Sequence, residues 1–369
     1  MAESQVYMQR AIELARNALG RTAPNPPVGA VIVRDGLIVG EGFHPRAGDP
    51  HAEIFALRAA GVRACGADIY VTLEPCSHRG RTGPCADALI AAGIRRVFVG
   101  TVDPNPLVAG RGIQRLKAAG LEVGIGLNED ACRELIAPFA WHITSGLPFT
   151  VYKAAMTLDG QLATCAGDSR WVSCADSRQR VHQLRDQVDA IMIGVQTILA
   201  DNPQLTTRLD QGGRDPLRVV VDSHLRIPLE SRILTQPSAA RTLVATTTLA
   251  PAAKLVALEK LNAEVLVLPV VEGRVSLCAL WQELGRRSVQ HLLLEGGRTL
   301  ASAALHARLI NSIQVYIAPK LLGGEGLSGL FAGEGSSLMD DAIPLENLRV
   351  ESVGADLLLT AEVKRCLPD

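Results

Sequence analysis

The sequence predicts two successive α/β domains of different fold. Helices alternate with short apolar strands through the first 125 residues, as layered α/β sheets with parallel members require. The stretch SGLPF (145–149) then interrupts the pattern with Gly and Pro. A second α/β pattern, in a different element order, fills the remainder, so the halves are not a duplication.

The elements follow in order. YMQRAIELARNAL (7–19) has apolar residues at helical spacing, and VGAVIV, RDG and LIVGEGF (28–43) read as strand, tight turn and strand. A helix over 52–60, the strand ADIYVTLE (67–74), a helix over 85–92 and the strand RRVFVGT (95–101) come next. A helix over 112–119, the strand LEVGIG (121–126) and one helix over 128–146 complete the first domain. In the second domain FTVYKAAM, DAIMIGV, LRVVVDS, TLVATTT, EVLVLPV and HLLLEGG read as strands. ADSRQRVHQLRDQ, SLCALWQELGRR and TLASAALHARL read as helices. SIQVYIAPKLLGG and LRVESVGADLLLTAEVK are the closing strands.

Composition narrows the function classes. The 369 residues are 47% hydrophobic and 20% charged, which is globular. A net charge of −1 gives no electrostatic footprint for nucleic acid or an anionic membrane. No apolar run reaches the roughly 18 residues of a membrane span, and the N-terminal MAESQVYMQRAIELA does not read as a secretion signal. Eight cysteines scattered over a long chain do not form a secreted disulfide scaffold. The expectation is a cytoplasmic protein with reduced thiols, some of which hold metal.

The sharpest chemical signal is HAE (51–53) followed by EPC (74–76) and GPC (83–85). Alone, a His-x-Glu at a helix start is ordinary surface chemistry, and two cysteines are ordinary buried residues. Together the order H-x-E, P-C, eight residues, C has the logic of a zinc deaminase site. His51, Cys76 and Cys85 would hold zinc and leave its fourth tetrahedral position to water, whose pKa falls to about 7. Glu53, not a ligand, would move the proton from water to the departing amine. The eight-residue gap differs from the C-x-x-C of nucleic-acid-editing deaminases. His78 is a minor candidate ligand, and Cys65, Cys132, Cys165, Cys174, Cys278 and Cys366 read as plain thiols.

PNPPVGAVIV (24–33), HAE, TLEPCSHRGRTGPCADALIAAG (72–93) and DPNPLVAGRG (103–112) resemble the deaminase half of the bifunctional riboflavin-biosynthesis deaminase/reductases. KAAMTLDGQLAT (153–164), SRWVS (169–173), HQLRDQVDAIMIGVQTILADNPQLTTR (182–208), VVVDS (219–223) and LLLEGGRTLASAAL (292–305) resemble their reductase half. The resemblance implies a cytidine-deaminase-like three-layer domain over 1–146 and a dihydrofolate-reductase-like domain over 147–369. It implies zinc-dependent deamination of 2,5-diamino-6-(5-phosphoribosylamino)pyrimidin-4-one, then NADPH-dependent reduction of the product's ribosyl group to ribityl. Asn25 would orient the pyrimidine; otherwise it is a loop residue pinned between prolines.

In the second domain LLLEGGRTLASAAL is strand, Gly-Gly, helix, a pattern that brings backbone and a helix N-terminus to a phosphate. It is not G-x-G-x-x-G, and a plain turn reads equally well. The resemblance makes Gly297, Arg298, Thr299, Leu300, Ala301, Ser302 and Ala303 cofactor contacts, with Ala155, Trp171, Thr197, Asp201 and Ser223. The alternative for Trp171 is a core aromatic. Lys153, Ser169, Arg185, Leu205, Arg208 and Glu295 match the substrate-contacting positions. Arg suits bidentate phosphate binding, although arginines on a helix such as 175–187 ordinarily face solvent, as Arg178 and Arg180 are expected to. Glu295, ending a buried strand, needs a polar partner. Arg298 is a candidate for a 2′-phosphate, and no general acid for the reduction is legible.

Three segments depart from the family pattern: Gly83, ELIAPF (134–139) and SRWVSCADSRQR (169–180). Two competing readings remain, a deaminase of RNA or free nucleosides, and a structural zinc site in a binding module. Near-neutral charge opposes the first, and a set of only three ligands opposes the second. A homo-oligomer, dimer or tetramer, acting on a small phosphorylated pyrimidine, with no nucleic-acid or membrane partner, is expected.

Overall fold

Alternate residues of the strands in the first half point to two different helix layers. A computed structural model describes residues 2–77, 83–324 and 329–364, and the chain divides into two compact units, Met1–Gly146 and Leu147–Asp369. Unit 1 runs α1 (Ala2–Arg16), β1 (Gly29–Arg34), β2 (Leu37–Phe43), α2 (Ala52–Ala60), β3 (Asp68–Leu73), α3 (Cys85–Ala91), β4 (Arg96–Thr101), α4 (Arg111–Ala118), β5 (Glu122–Ile125), α5 (Glu129–Leu135) and α6 (Ala137–Ser145). Its sheet order is β2-β1-β3-β4-β5, antiparallel through β2, β1 and β3 and parallel from β3 to β5. Ala30, Ile32, Ile69, Val71, Val97 and Val99 pack against α2, α3 and α4 on one face. Val31, Val33 and Tyr70 pack against α1 and Cys132 of α5 on the other. Three layers result directly from the period of two along each strand.

Local chemistry explains the connections. Asp35 and Gly36 both have positive φ, the requirement of the two-residue hairpin turn between β1 and β2. The single helix expected over 128–146 is two helices. The backbone leaves helical geometry at Ile136 (φ −104°, ψ 9°), and Pro138 lies in the first turn of α6, where its missing N–H is harmless.

Unit 2 runs β6 (Phe149–Thr157), α7 (Ala175–Gln187), β7 (Ala190–Gly194), α8 (Val195–Asp201), β8 (Leu217–Val221), α9 (Arg232–Thr235), β9 (Thr242–Thr247), α10 (Ala252–Glu259), β10 (Ala263–Leu268), β11 (Val270–Val271), β12 (Arg274–Val275), α11 (Leu277–Arg286), β13 (His291–Glu295), α12 (Arg298–His306), β14 (Ser312–Ala318), β15 (Leu345–Val353) and β16 (Asp356–Val363). Its nine-stranded sheet has the order β10-β9-β8-β7-β13-β6-β14-β16-β15. Strands β10 through β14 are parallel along this order, and the β16–β15 hairpin closes it antiparallel. Leu292, Leu294, Met192 and Tyr152 pack on α11 and α12 on one face. Leu293, Ile191, Ile193 and Val151 pack with residues of α8 and α10 on the other. Helices α8, α9 and α10 are additions to the sequence reading, and the strand expected through Val195 ends at Gly194, where α8 begins.

Candidate functional site

Three element ends converge in unit 1. His51 is the N-cap residue of α2, Cys76 lies in the turn after β3, and Cys85 opens α3. Their Nδ1 and two Sγ atoms lie within 4.8 Å of one another. His51 Nδ1 is 3.3 Å from Cys85 Sγ and 3.6 Å from Cys76 Sγ. Tetrahedral zinc with ordinary Zn–S and Zn–N bonds sets such N···S edges at about 3.5 Å, so the donor set fits zinc. The Cys85 N–H donates to Cys76 Sγ at 3.3 Å. Hydrogen bonding from the Cys85 thiol, opposed by burial and aided by His51, holds Cys76 down to about 4, and the same contact with burial pushes Cys85 upward. Two sulfurs, only one of which ionises readily, is the state that a bound cation relieves.

Glu53, in the first turn of α2, is 3% exposed, and its buried Oε2 has no hydrogen-bond partner among the described residues. Burial, with the Cys76 charge, pushes its carboxyl up to about 7. It stands outside the ligand group, as a proton carrier must. His78 lies outside the described residues, as does Cys366.

Two residues without an expected role complete this site. The buried His44 hydrogen-bonds Asn25 Nδ2 through Nε2 at 3.0 Å and the Pro50 carbonyl through Nδ1 at 3.0 Å, with its ring edge-on to His51. The carbonyl accepts, so Nδ1 carries the proton and Nε2 accepts from the Asn25 amide. Burial, ahead of the other influences, lowers the His44 pKa. Glu74 is buried and accepts four backbone N–H bonds, from Asp103 and Gly110 at Oε2 and from Gly112 and Ile113 at Oε1, at 2.8–3.2 Å. It ties the segment entering α4 to the turn bearing Cys76. The approach is close enough that a Cβ at Gly112 would lie 1.9 Å from the Pro75 carbonyl oxygen.

In unit 2 the candidate residues gather at the carboxyl ends of the parallel strands, where open α/β sheets bind ligands. Glu295 ends β13 and receives Arg185 of α7 in two bonds, Nε to Oε1 at 2.9 Å and Nη2 to Oε2 at 2.7 Å. Burial opposes ionisation of Glu295, but the Arg185 charge and hydrogen bonds, with Lys153, outweigh it and hold the carboxyl down to about 2. Lys153 is level with Glu295 on the adjacent β6, its Nζ 5.6 Å from the Tyr316 ring centre, and burial lowers its pKa. Arg208 Nη1 donates to Gln204 Oε1, Thr206 Oγ1 and the Thr206 carbonyl.

The Gly-Gly turn forms a cradle. Gly296 and Gly297 have φ of +62° and +70°, and a Cβ at Gly296 would meet Thr197 Oγ1 at 3.2 Å. Thr197 of α8 therefore stands against Gly296 and Gly297 at the start of α12, whose first turn carries the exposed Thr299. Ser169 and Asp201 line one open cleft, and Arg170 donates to the Asp201 carbonyl at 2.6 Å. Trp171 is 62% exposed under the Arg178 guanidinium, which excludes the core-aromatic alternative and gives Arg178 a partner beyond solvent. Arg180 is exposed and pairs with Glu351.

Several candidates have committed side chains. Leu205, at φ +55°, is buried in the core; the helical Leu300 and Ala301 are buried too, so these three offer backbone to a ligand. Ser302 Oγ donates to the Ala332 carbonyl, Arg298 Nη2 donates to the Phe331 carbonyl, and Ser223 Oγ accepts from Val275 N. Ala155 is half-buried on β6 and Ala303 exposed on α12.

Known proteins share both units. The RibD C-terminal domain family matches residues 148–359, and the cytidine and deoxycytidylate deaminase zinc-binding region matches residues 1–101. Riboflavin biosynthesis protein RibD of Synechocystis sp. is 45% identical over 360 residues, covering 98% of this chain and 96% of that protein. The solved Acinetobacter baumannii RibD superposes with a TM-score of 0.85 at 39% identity, covering 99% of each chain. A Thermotoga maritima structure, described as a diaminohydroxyphosphoribosylaminopyrimidine deaminase/5-amino-6-(5-phosphoribosylamino)uracil reductase, superposes at 0.84 with 34% identity, covering 98% of this chain and 99% of that one. Unit 1 has the cytidine-deaminase-like fold and unit 2 the dihydrofolate-reductase-like fold. Because the matches run through both units at these identities, the chain belongs to the RibD family of bifunctional riboflavin-biosynthesis deaminase/reductases.

Proposed function

We propose that unit 1 hydrolyses the C2 amino group of 2,5-diamino-6-(5-phosphoribosylamino)pyrimidin-4-one, and that unit 2 reduces the ribosyl group of the product to ribityl with NADPH. The observation that carries this reading is the convergence of His51, Cys76 and Cys85 beside a buried, unpartnered Glu53 oxygen. Zinc bound there supplies a water with its pKa lowered to about 7. Glu53 accepts the proton given up in the attack on C2 and returns it to the departing nitrogen, so ammonia leaves neutral. Asn25, one N–H spent on His44, keeps its carbonyl and second N–H for the pyrimidine edge.

NADPH supplies a hydride, and the chain supplies its placement. Gly296, Gly297, the N-terminal backbone of α12 and Thr197 form the cradle for a cofactor phosphate. The accepting carbon is C1′ of the ribosylamine after ring opening to an imine. Glu295, ionised by Arg185, is an acceptor for sugar hydroxyls, and Lys153 stands beside it as a donor. Arg208 takes the substrate phosphate, as its charge has no carboxylate partner among the described ion pairs.

No described helix is long and apolar enough to cross a membrane. A cytoplasmic enzyme suits cysteine ligands that must stay reduced. A homo-oligomer is favoured by β15, an edge strand exposed along nearly its whole length with Leu345, Leu348 and Val350 on its surface.

Incubating zinc-loaded protein with the diaminopyrimidine phosphate tests the assignment. Ammonia is expected without dinucleotide, and NADPH oxidation only after deamination; neither signal refutes both assignments. Ammonia from cytidine or RNA but not from this substrate would favour a nucleoside or nucleic-acid deaminase.

A further inference from the structure

Arg185 and Arg208 converge on one oxygen. Arg185 Nη1 donates to the Thr206 carbonyl at 3.2 Å, and Arg208 Nη1 donates to the same carbonyl at 3.4 Å. Glu295 answers the Arg185 charge, while Arg208 is left to neutral oxygens of Gln204 and Thr206. The backbone of this segment is fixed from α7. His182, one turn before Arg185, accepts the Arg208 N–H at Nδ1, 3.3 Å away. Nothing in the sequence reading or the family motifs gave His182 a role.

We propose that His182 is a positioning residue for recognition of the substrate phosphate, fixing the 206–208 backbone so that the Arg208 guanidinium is presented to a phosphate dianion. The inference rests on the reading of Arg208 as the phosphate contact. An imidazole accepts at Nδ1 only when that nitrogen is unprotonated. Burial, then the charges of Arg185 and Arg208, hold His182 down to about 4, against the pull of Glu295, so the acceptor is available at neutral pH. A protonated ring would break the Arg208 bond and add a third cation to the cluster.

Steady-state reduction by the full-length zinc-loaded protein tests this with two substrates, the deaminated phosphoribosylaminouracil and its dephosphorylated counterpart. Loss of one hydrogen bond of about 1.4 kcal/mol corresponds to roughly tenfold in binding. His182→Ala is therefore expected to raise KM for the phosphorylated substrate about tenfold, with kcat, the KM for NADPH and the dephosphorylated reaction little changed. His182→Asn, whose side-chain carbonyl replaces the acceptor, should return KM toward wild type. His182→Phe keeps the ring volume without the acceptor and should behave like the alanine variant, which covers the case in which alanine does not fold. Equal effects on both substrates, a wild-type KM in the Phe variant, or no rescue by Asn overturns the inference. Arg208→Ala separates the two levels. If it leaves the phosphorylated substrate's KM unchanged, the phosphate assignment itself falls and this inference with it. If it raises KM while the His182 variants do not, only the role of His182 falls.

Discussion

Arg185 and Glu295 meet in a two-pronged ion pair, 2.9 and 2.7 Å, with both side chains only 12% exposed. A buried charge stripped of its partner is strongly destabilising. Arg185→Ala and Glu295→Ala are each expected to lower unfolding free energy by about 3–5 kcal/mol in urea titrations. The double variant should lose less than the sum, because the second change removes an already orphaned charge. Additive losses would show that the pair is not coupled. Arg185→Lys should not restore reduction, since an ammonium cannot make the parallel pair of bonds.

Glu74 acts at a distance from the chemistry. Its four backbone bonds hold the segment entering α4 against the turn that carries Cys76. Glu74→Gln replaces acceptors with a donor on one side, leaving buried N–H groups unsatisfied at a cost of about 2–4 kcal/mol. Zinc release to a chelator should quicken in this variant while Glu53 and the three ligands are unchanged. A wild-type release rate would remove Glu74 from the support of the metal site.

In the Gly-Gly cradle a methyl group at Gly296 is strained by backbone and crowded by Thr197. Gly296→Ala combines a positive φ of +62° with a contact at 3.2 Å to Thr197 Oγ1. The KM for NADPH should rise about tenfold or more as the turn shifts. Deamination, assayed by ammonia release, should be untouched. A normal KM for NADPH would move the cofactor phosphate away from this turn.

Acid should lower stability through two histidines. His291 is held below its ordinary 6.5 to about 4 by burial, with Asp189 opposing, and His182 is likewise held to about 4. Below pH 6.5 the unfolded chain takes up these protons while the folded chain does not, so these two groups lower stability from pH 6.5 toward 4; Glu53, raised by burial to about 7, has the opposite sign, because the folded chain takes up its proton first as pH falls from about 7 toward 4.5. The urea midpoint of Glu53→Gln protein, which lacks that opposing carboxyl, should fall from pH 7.5 to 4.5, and adding His291→Gln should flatten the course. A midpoint that rises on acidification would contradict the direction of both shifts.

The cluster of His51, Cys76 and Cys85 with Glu53 nearby is legible in the sequence because chemistry restricts the type and order of its members: an imidazole, two thiols and a non-ligating carboxylate have few substitutes. The alternation of Ile69, Tyr70 and Val71 between two helix layers was legible for the same kind of reason, since the period of a strand leaves no choice. His44, Glu74 and His182 were not. Each works through hydrogen bonds to groups 6 to 39 residues away, and such pairings exist only once the chain is folded. Leu205 is legible only in part: the motif marks the position, but its core side chain and its φ of +55°, which leave backbone to a ligand, are announced by no apolar pattern.

Ammonia release by zinc-loaded Glu53→Gln protein tests the central claim most directly. The variant should hold as much zinc as wild type, because the proposed ligands are His51, Cys76 and Cys85, and its deamination rate should fall by about 10²–10⁴-fold with the proposed proton carrier gone. A rate within a few-fold of wild type at full zinc occupancy, or loss of the zinc itself, would contradict the account.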